Sequence, residues 1–82
     1  MKYVVYILES QLDGTFYIGY TFDLEIRLSQ HNSGKTKYTS RKIPWKVVYT
    51  EEFNIKSEAL KRERFLKNQR NRDFYFKLIK KN

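Results

Sequence analysis

Two short runs of β-forming residues flank a turn signal near the start of the chain, and they commit this region to a hairpin. The runs are Val4-Val5-Tyr6 and Tyr17-Ile18-Gly19, with Asp13-Gly14 between them. Branched and aromatic side chains suit a pleated, half-buried surface, and an Asp-Gly pair favours the reversal that joins antiparallel strands. The spacing predicts strands over 2–9 and 15–21 and a turn at 11–14. Counting back from the turn places Tyr6 and Tyr17 directly or diagonally opposite. A slip of one residue would send them to different faces. Both faces of the first strand are apolar, which predicts a central place in the sheet.

The remaining signals fill in a small α+β fold. Asp23 suits a helix N-cap and Glu25 the first turn, with Gly34 as the stop after about Asn32. On that helix Leu24 and Leu28 are spaced for burial, and Arg27 and His31 share a face. A polar basic loop is predicted over 33–42. Pro44 precedes a third strand over 45–52, where Trp45, Val47 and Tyr49 alternate with Lys46, Val48 and Thr50. Asn54 or Ser57 is the predicted cap of the next helix, which reaches about Asn68 and carries Ile55, Ala59, Glu63 and Leu66 on one stripe. A last helix over 71–80 presents Phe74, Leu78 and Ile79 for docking. The order β-β-α-β-α-α predicts a three-stranded antiparallel sheet flanked by helices, as a single domain over 1–82.

With no cysteine and one histidine, the 82 residues have neither a disulfide nor a conventional structural zinc site, so packing alone must hold the core. Charge then points to a partner. The chain carries +8, unevenly: residues 1–52 hold seven Lys/Arg against six Asp/Glu, and residues 53–82 hold ten against three. Five of those first seven cations fall between Lys35 and Lys46, a stretch with no acid. Aromatics interleaved with this charge favour nucleic acid over a merely solvated basic surface. No segment pairs a clean apolar face with a basic one, and none approaches a membrane span, so no membrane partner is expected. The apolar run Tyr3–Leu8 is too short for a signal peptide and meets Glu9 at once, so a cytoplasmic location is expected.

A few residues could carry chemistry. Glu63 falls in an apolar stripe, where desolvating a carboxylate is costly unless a cation neutralises it. The ordinary reading is a pair with Arg62, Lys67 or Arg27. The functional one is a hard divalent metal, Mg²⁺ or Mn²⁺, held by one carboxylate and several waters. Arg27 and His31, four apart, are ordinary helix surface unless a phosphate lies near, when a guanidinium can grip two of its oxygens. Tyrosines in strands usually serve packing. A phenol with a pKa of about 10 becomes a base only if a neighbouring cation lowers it. Gly19 permits close backbone approach, to a helix or to a phosphate, or simply a tight turn. Together the phenols, guanidinium, imidazole and lone carboxylate are the groups that phosphodiester hydrolysis needs.

This pattern resembles the GIY-YIG nuclease superfamily, in its small stand-alone, excinuclease-subunit-C-like branch. The two half-motifs are Val4-Val5-Tyr6 and Tyr17-Ile18-Gly19; the helix arginine matches Arg27, the position four on matches His31, and the segment Glu58-Ala59-Leu60-Lys61-Arg62-Glu63 ends on the family's metal-binding glutamate. The resemblance implies one divalent ion and attack by water on DNA phosphodiesters. It assigns Glu63 to the metal, Tyr6 to the general base, Tyr17 to positioning, Arg27 to the scissile phosphate and His31 to its support. The chain departs from the family at Val4-Val5, at Tyr20, where some relatives have lysine, and at Tyr75, where some have asparagine. It has no specificity insertion, so weak sequence preference is expected, with Lys35, Lys37, Arg41, Lys42 and Lys67 on phosphates.

The leading expectation is a structure-selective endonuclease for flaps, branches or single strands in DNA repair or recombination. A non-catalytic nucleic-acid-binding module of the same fold is the alternative, and an interaction domain of a larger repair complex a third. The oligomeric state is open, a homodimer included.

Overall fold

The computed structural model describes residues 2–80. Its elements run β1 (Tyr3–Ser10), β2 (Phe16–Thr21), α1 (Leu24–Asn32), β3 (Trp45–Phe53), α2 (Lys56–Lys67) and α3 (Arg72–Lys80), with a short 3₁₀ turn, Thr39–Lys42, before β3. The three strands form one antiparallel sheet in the order β2-β1-β3, so the strand with two apolar faces is the central one.

The hairpin closes through more than its Asp-Gly pair. The Gly14 amide donates to the Ser10 carbonyl at 2.8 Å, and the buried Ser10 hydroxyl accepts from the amides of Leu12 and Asp13. That hydroxyl also donates to the Lys42 carbonyl at 2.7 Å, which ties the turn to the far loop. Gly14 takes φ +78°, a conformation a side chain would resist. The register pairs Tyr6 with Gly19 and Leu8 with Tyr17, so the two tyrosines are diagonal neighbours on one face.

Each face of the sheet builds its own core. Val5, Ile7, Ile18 and Tyr49 pack with Ala59, Leu66 and Tyr75 of α2 and α3. Tyr6, Leu8 and Trp45 pack with Tyr17, Leu24, Leu28, Ile43 and Val47 on the face that α1 covers. The strict alternation predicted for β3 fails at one point. A register shift occurs where Ile7 pairs with Tyr49 and Leu8 with Val47, leaving Val48 as the extra residue. This bulge re-aims the strand, so Trp45 and Val47 serve one core while Tyr49 serves the other.

One helix start also differs from the prediction. Ile55, not Asn54 or Ser57, holds the N-cap of α2 and offers no side-chain acceptor; Asn54 lies one residue too early and Ser57 is already inside the first turn. Ile55 is exposed rather than part of the buried stripe. Instead of a cap, α2 is clamped to β3: Glu51 accepts from Arg62 Nε and from a second guanidinium nitrogen, both at 2.9 Å, and from the Tyr49 hydroxyl. The α1 cap is as predicted, with Asp23 Oδ1 accepting from the Ile26 amide at 3.2 Å. No helix among the described residues is long and apolar enough to cross a membrane.

Candidate active site

The site begins with Tyr6, fully buried on the central strand. Its ring lies across Gly19 of the edge strand β2. A β-carbon at Gly19 would stand 2.6 Å from the Tyr6 hydroxyl and 2.8 Å from the ring carbon that bears it, closer than packed atoms come. The glycine therefore makes room for the neighbouring tyrosine, not for a helix, a phosphate or a tight turn, the readings offered by the sequence.

His31 meets Tyr6 from α1. Its Nε2 lies 3.1 Å from the Tyr6 hydroxyl and its Nδ1 lies 2.8 Å from Thr39 Oγ1. The Thr39 hydroxyl donates to the Thr36 carbonyl, so it accepts from His31 Nδ1–H. That assigns the tautomer: Nε2 carries the lone pair and accepts the Tyr6 O–H. His31 is fully buried, not the surface residue that helix spacing alone suggests. Burial, with the nearby Arg27 charge, lowers its pKa to about 4, so it is neutral at pH 7.

Thr39 is the residue the sequence did not flag. It sits in a stretch predicted as polar loop, yet it is wholly buried. The 3₁₀ turn that carries it is pinned by Trp45 Nε1, which donates to the Thr39 carbonyl at 2.9 Å. Asn32 holds the same tryptophan's backbone on both sides, at 2.6 Å and 3.1 Å. Nothing in the local pattern marks Thr39, because its partners arrive from α1 and β3.

Tyr17 stands beside this pair, its ring centroid 4.9 Å from that of His31 in an edge-on arrangement. Arg27 donates to Gln30 Oε1 at 3.0 Å. Burial opposes the Arg27 charge, but the adjacent phenols of Tyr6 and Tyr17 outweigh it and raise its pKa. Burial raises the Tyr6 pKa, and the charges of Tyr17 and Glu63 push the same way, while Arg27 works against them. The phenol is thus protonated at rest, with one cation positioned to favour its ionisation.

Glu63 enters from α2 with its side chain 16% exposed, and its oxygen lies 3.4 Å from Lys67 Nζ, one turn on. Of the pairings considered for it, Lys67 is the partner found. A hard divalent ion suits this donor set. The oxygens are carboxylate and phenol, and the single imidazole is committed to Tyr6 and Thr39; among the described residues no group of three or more His, Cys, Asp or Glu gathers to hold a metal, so the protein would supply few of the ligands. Glu63 would hold such an ion with water completing its shell.

The structure thus groups Tyr6, Tyr17, Arg27 and His31, with Glu63 near enough for its charge to bear on Tyr6. The cations differ in their freedom. Lys35, Lys37 and Arg41 are exposed, whereas Lys42 is paired with Asp13 at 2.6 Å and Lys67 with Glu63. Tyr75 is buried and donates to the Leu66 carbonyl, and Tyr20 packs on the core, so both departures serve the fold.

Comparison with known proteins adds to this geometry. A family model described as the GIY-YIG catalytic domain matches residues 2–78. The chain is 47% identical over 66 residues to a UPF0213 protein of Streptococcus agalactiae serotype V, covering 79% of this chain and 74% of that one. It is also 47% identical over 60 residues to a UPF0213 protein of Halobacterium salinarum, covering 72% and 77%. The solution NMR structure of a UPF0213 protein from Bacillus halodurans superposes with a TM-score of 0.58 at 41% identity, covering 92% of this chain and 80% of that one.

Proposed function

The chain belongs to the GIY-YIG family, and on that footing we propose that it is a metal-dependent endonuclease hydrolysing DNA phosphodiester bonds. The carrying observation is the cluster of two phenols, a guanidinium and a neutral imidazole on the α1 face of the β1–β2 hairpin, with the charge of the half-buried Glu63 carboxylate on α2 bearing on Tyr6. We place it in the cytoplasm as a single domain with weak sequence preference, acting on branched, flapped or single-stranded DNA in repair or recombination.

Each group has a part. Arg27 grips two oxygens of the scissile phosphate and offsets the charge that builds there. Tyr17 positions the phosphate and the attacking water. Tyr6 first loses its own proton to solvent, a step that Arg27 beside it favours, and the resulting phenolate accepts the water proton. His31, neutral and held between Thr39 and Tyr6, fixes the direction of the Tyr6 hydroxyl in the resting phenol and leaves the positive charge of the site to Arg27. Glu63 would hold the Mg²⁺ or Mn²⁺ ion, which when bound would supply a Lewis acid and offset the carboxylate charge that opposes Tyr6 ionisation. Lys35, Lys37, Arg41, Lys42 and Lys67 contact backbone phosphates.

One observation favours the second reading, a binding module without turnover: Lys67 already neutralises Glu63. Cleavage of labelled single-stranded, duplex, nicked, flap and branched DNAs separates the two. The nuclease cuts with Mg²⁺ or Mn²⁺ and stops with EDTA or with Glu63→Ala. The binding module cuts none of them and binds in a salt-dependent way.

A further inference from the structure

Tyr38 is 60% exposed, a large aromatic surface to leave in water. It holds the N-cap position of the 3₁₀ turn that Thr39 and Trp45 anchor, and its ring centroid lies 5.8 Å from that of Tyr17, tilted by 35°. The ring therefore extends the aromatic surface of the site outward by one step. It also divides two concavities. One, of about 270 Å³, is lined by Phe16, Tyr17, Ile18, Lys67 and Tyr75 as well as Tyr38. The other, of about 510 Å³, is lined by Tyr38 with Lys37, Arg41 and Lys42. An exposed, preorganised ring with cations on its flank is what a base and its neighbouring phosphates fit.

We propose that Tyr38 is a stacking platform for an unpaired nucleobase next to the cleaved bond, with Lys37 and Arg41 holding the adjoining phosphates. This rests on the nuclease reading for the place of the scissile phosphate. An unpaired base can swing out and present its face to the ring, whereas a base inside a duplex is covered on both faces by its stacked neighbours. The platform would therefore select a single strand or a frayed junction over intact duplex, with little regard to base identity, since every base has a π face. Lys42, paired with Asp13, contributes less than Lys37 and Arg41.

The test is equilibrium binding in EDTA, where no metal supports cleavage. Fluorescence anisotropy would compare wild type, Tyr38→Ala and Tyr38→Phe on one single strand, on the same strand with single abasic positions, and on its duplex. The platform predicts that Tyr38→Ala weakens single-strand binding by roughly tenfold or more, leaves duplex binding nearly unchanged, and is rescued by Tyr38→Phe. It also predicts an abasic position that costs wild type affinity and costs Tyr38→Ala nothing. Equal loss on duplex and single strand, or no abasic position that matters, would overturn it. A wild type that cuts DNA while Tyr38→Ala binds single strands normally would sink the platform and spare the nuclease. No metal-dependent cleavage with Tyr38-dependent single-strand binding would do the reverse.

Discussion

The ring of Tyr6 occupies the space where a side chain on Gly19 would be, with its hydroxyl 2.6 Å from the position of that missing β-carbon. The two residues face each other across the hairpin, so the absence of one side chain determines where the other can lie. Gly19→Ala must push the phenol away or part the strands. We expect a stability loss of about 1–3 kcal/mol, the usual range for overpacking, and a larger loss of cleavage than of DNA binding. Thermal melting with parallel cleavage and binding assays measures all three. Unchanged melting and cleavage would mean the ring has room that the structure does not show.

His31 gives stability a specific pH signature. Its folded pKa of about 4 lies below the ordinary 6.5, so between those values the unfolded chain binds a proton that the folded chain refuses. Stability is therefore full above about pH 6.5 and falls by about 1.4 kcal/mol per unit as pH drops towards 4. Glu51, held below the usual carboxylate range by Arg62 and Tyr49 despite its burial, adds its own loss only at lower pH. Denaturant titrations from pH 7 to 5 isolate the histidine. His31→Gln should flatten that limb, and a wild type with no slope there would contradict a buried neutral imidazole.

The Glu63–Lys67 pair makes a prediction about metal. Removing the ammonium in Lys67→Ala frees the carboxylate, so less Mg²⁺ should half-saturate cleavage. The fold should hardly notice, since an i,i+4 ion pair contributes about 0.3–0.5 kcal/mol. A Mg²⁺ titration of the cleavage rate checks the first point and a melting curve the second.

Salt dependence separates the free cations from the engaged ones. Lys37→Ala or Arg41→Ala should each lower the slope of log affinity against log salt by roughly one. Lys42→Ala should change it less, because Asp13 already holds that ammonium at 2.6 Å. Binding isotherms across a salt series measure these slopes, and equal slopes for all three variants would remove the distinction.

The architecture was legible because local signals agreed: alternation and an Asp-Gly turn for the hairpin, Asp23 for the α1 cap, apolar spacing for α3. What stayed hidden depends on partners distant in sequence. The β3 bulge answers to the pairing of Ile7 and Leu8, and no feature of Trp45–Phe53 announces it. Ile55 is apolar yet exposed, because it holds the extended N-cap position and lies outside the helical stripe. The candidate site residues Tyr6, Tyr17, Arg27, His31 and Glu63 came from residue types and spacing read together with the family resemblance. None of these told that His31 is buried and neutral, or that Thr39 fixes its tautomer, because both facts arise from a contact between α1 and the loop before β3.

The most direct test of the proposed hydrolytic centre is single-turnover cleavage of a flap DNA in Mg²⁺ across neutral to alkaline pH, comparing wild type with Tyr6→Phe. The Tyr6 phenol is raised above its ordinary pKa, so a rate that depends on its phenolate should climb about tenfold per pH unit across this range. Tyr6→Phe, which keeps the ring over Gly19, should bind the DNA normally, cut it roughly a hundredfold more slowly, and lose the pH dependence. A Tyr6→Phe protein that cuts as fast as wild type, with the same pH profile, would contradict the account at its centre.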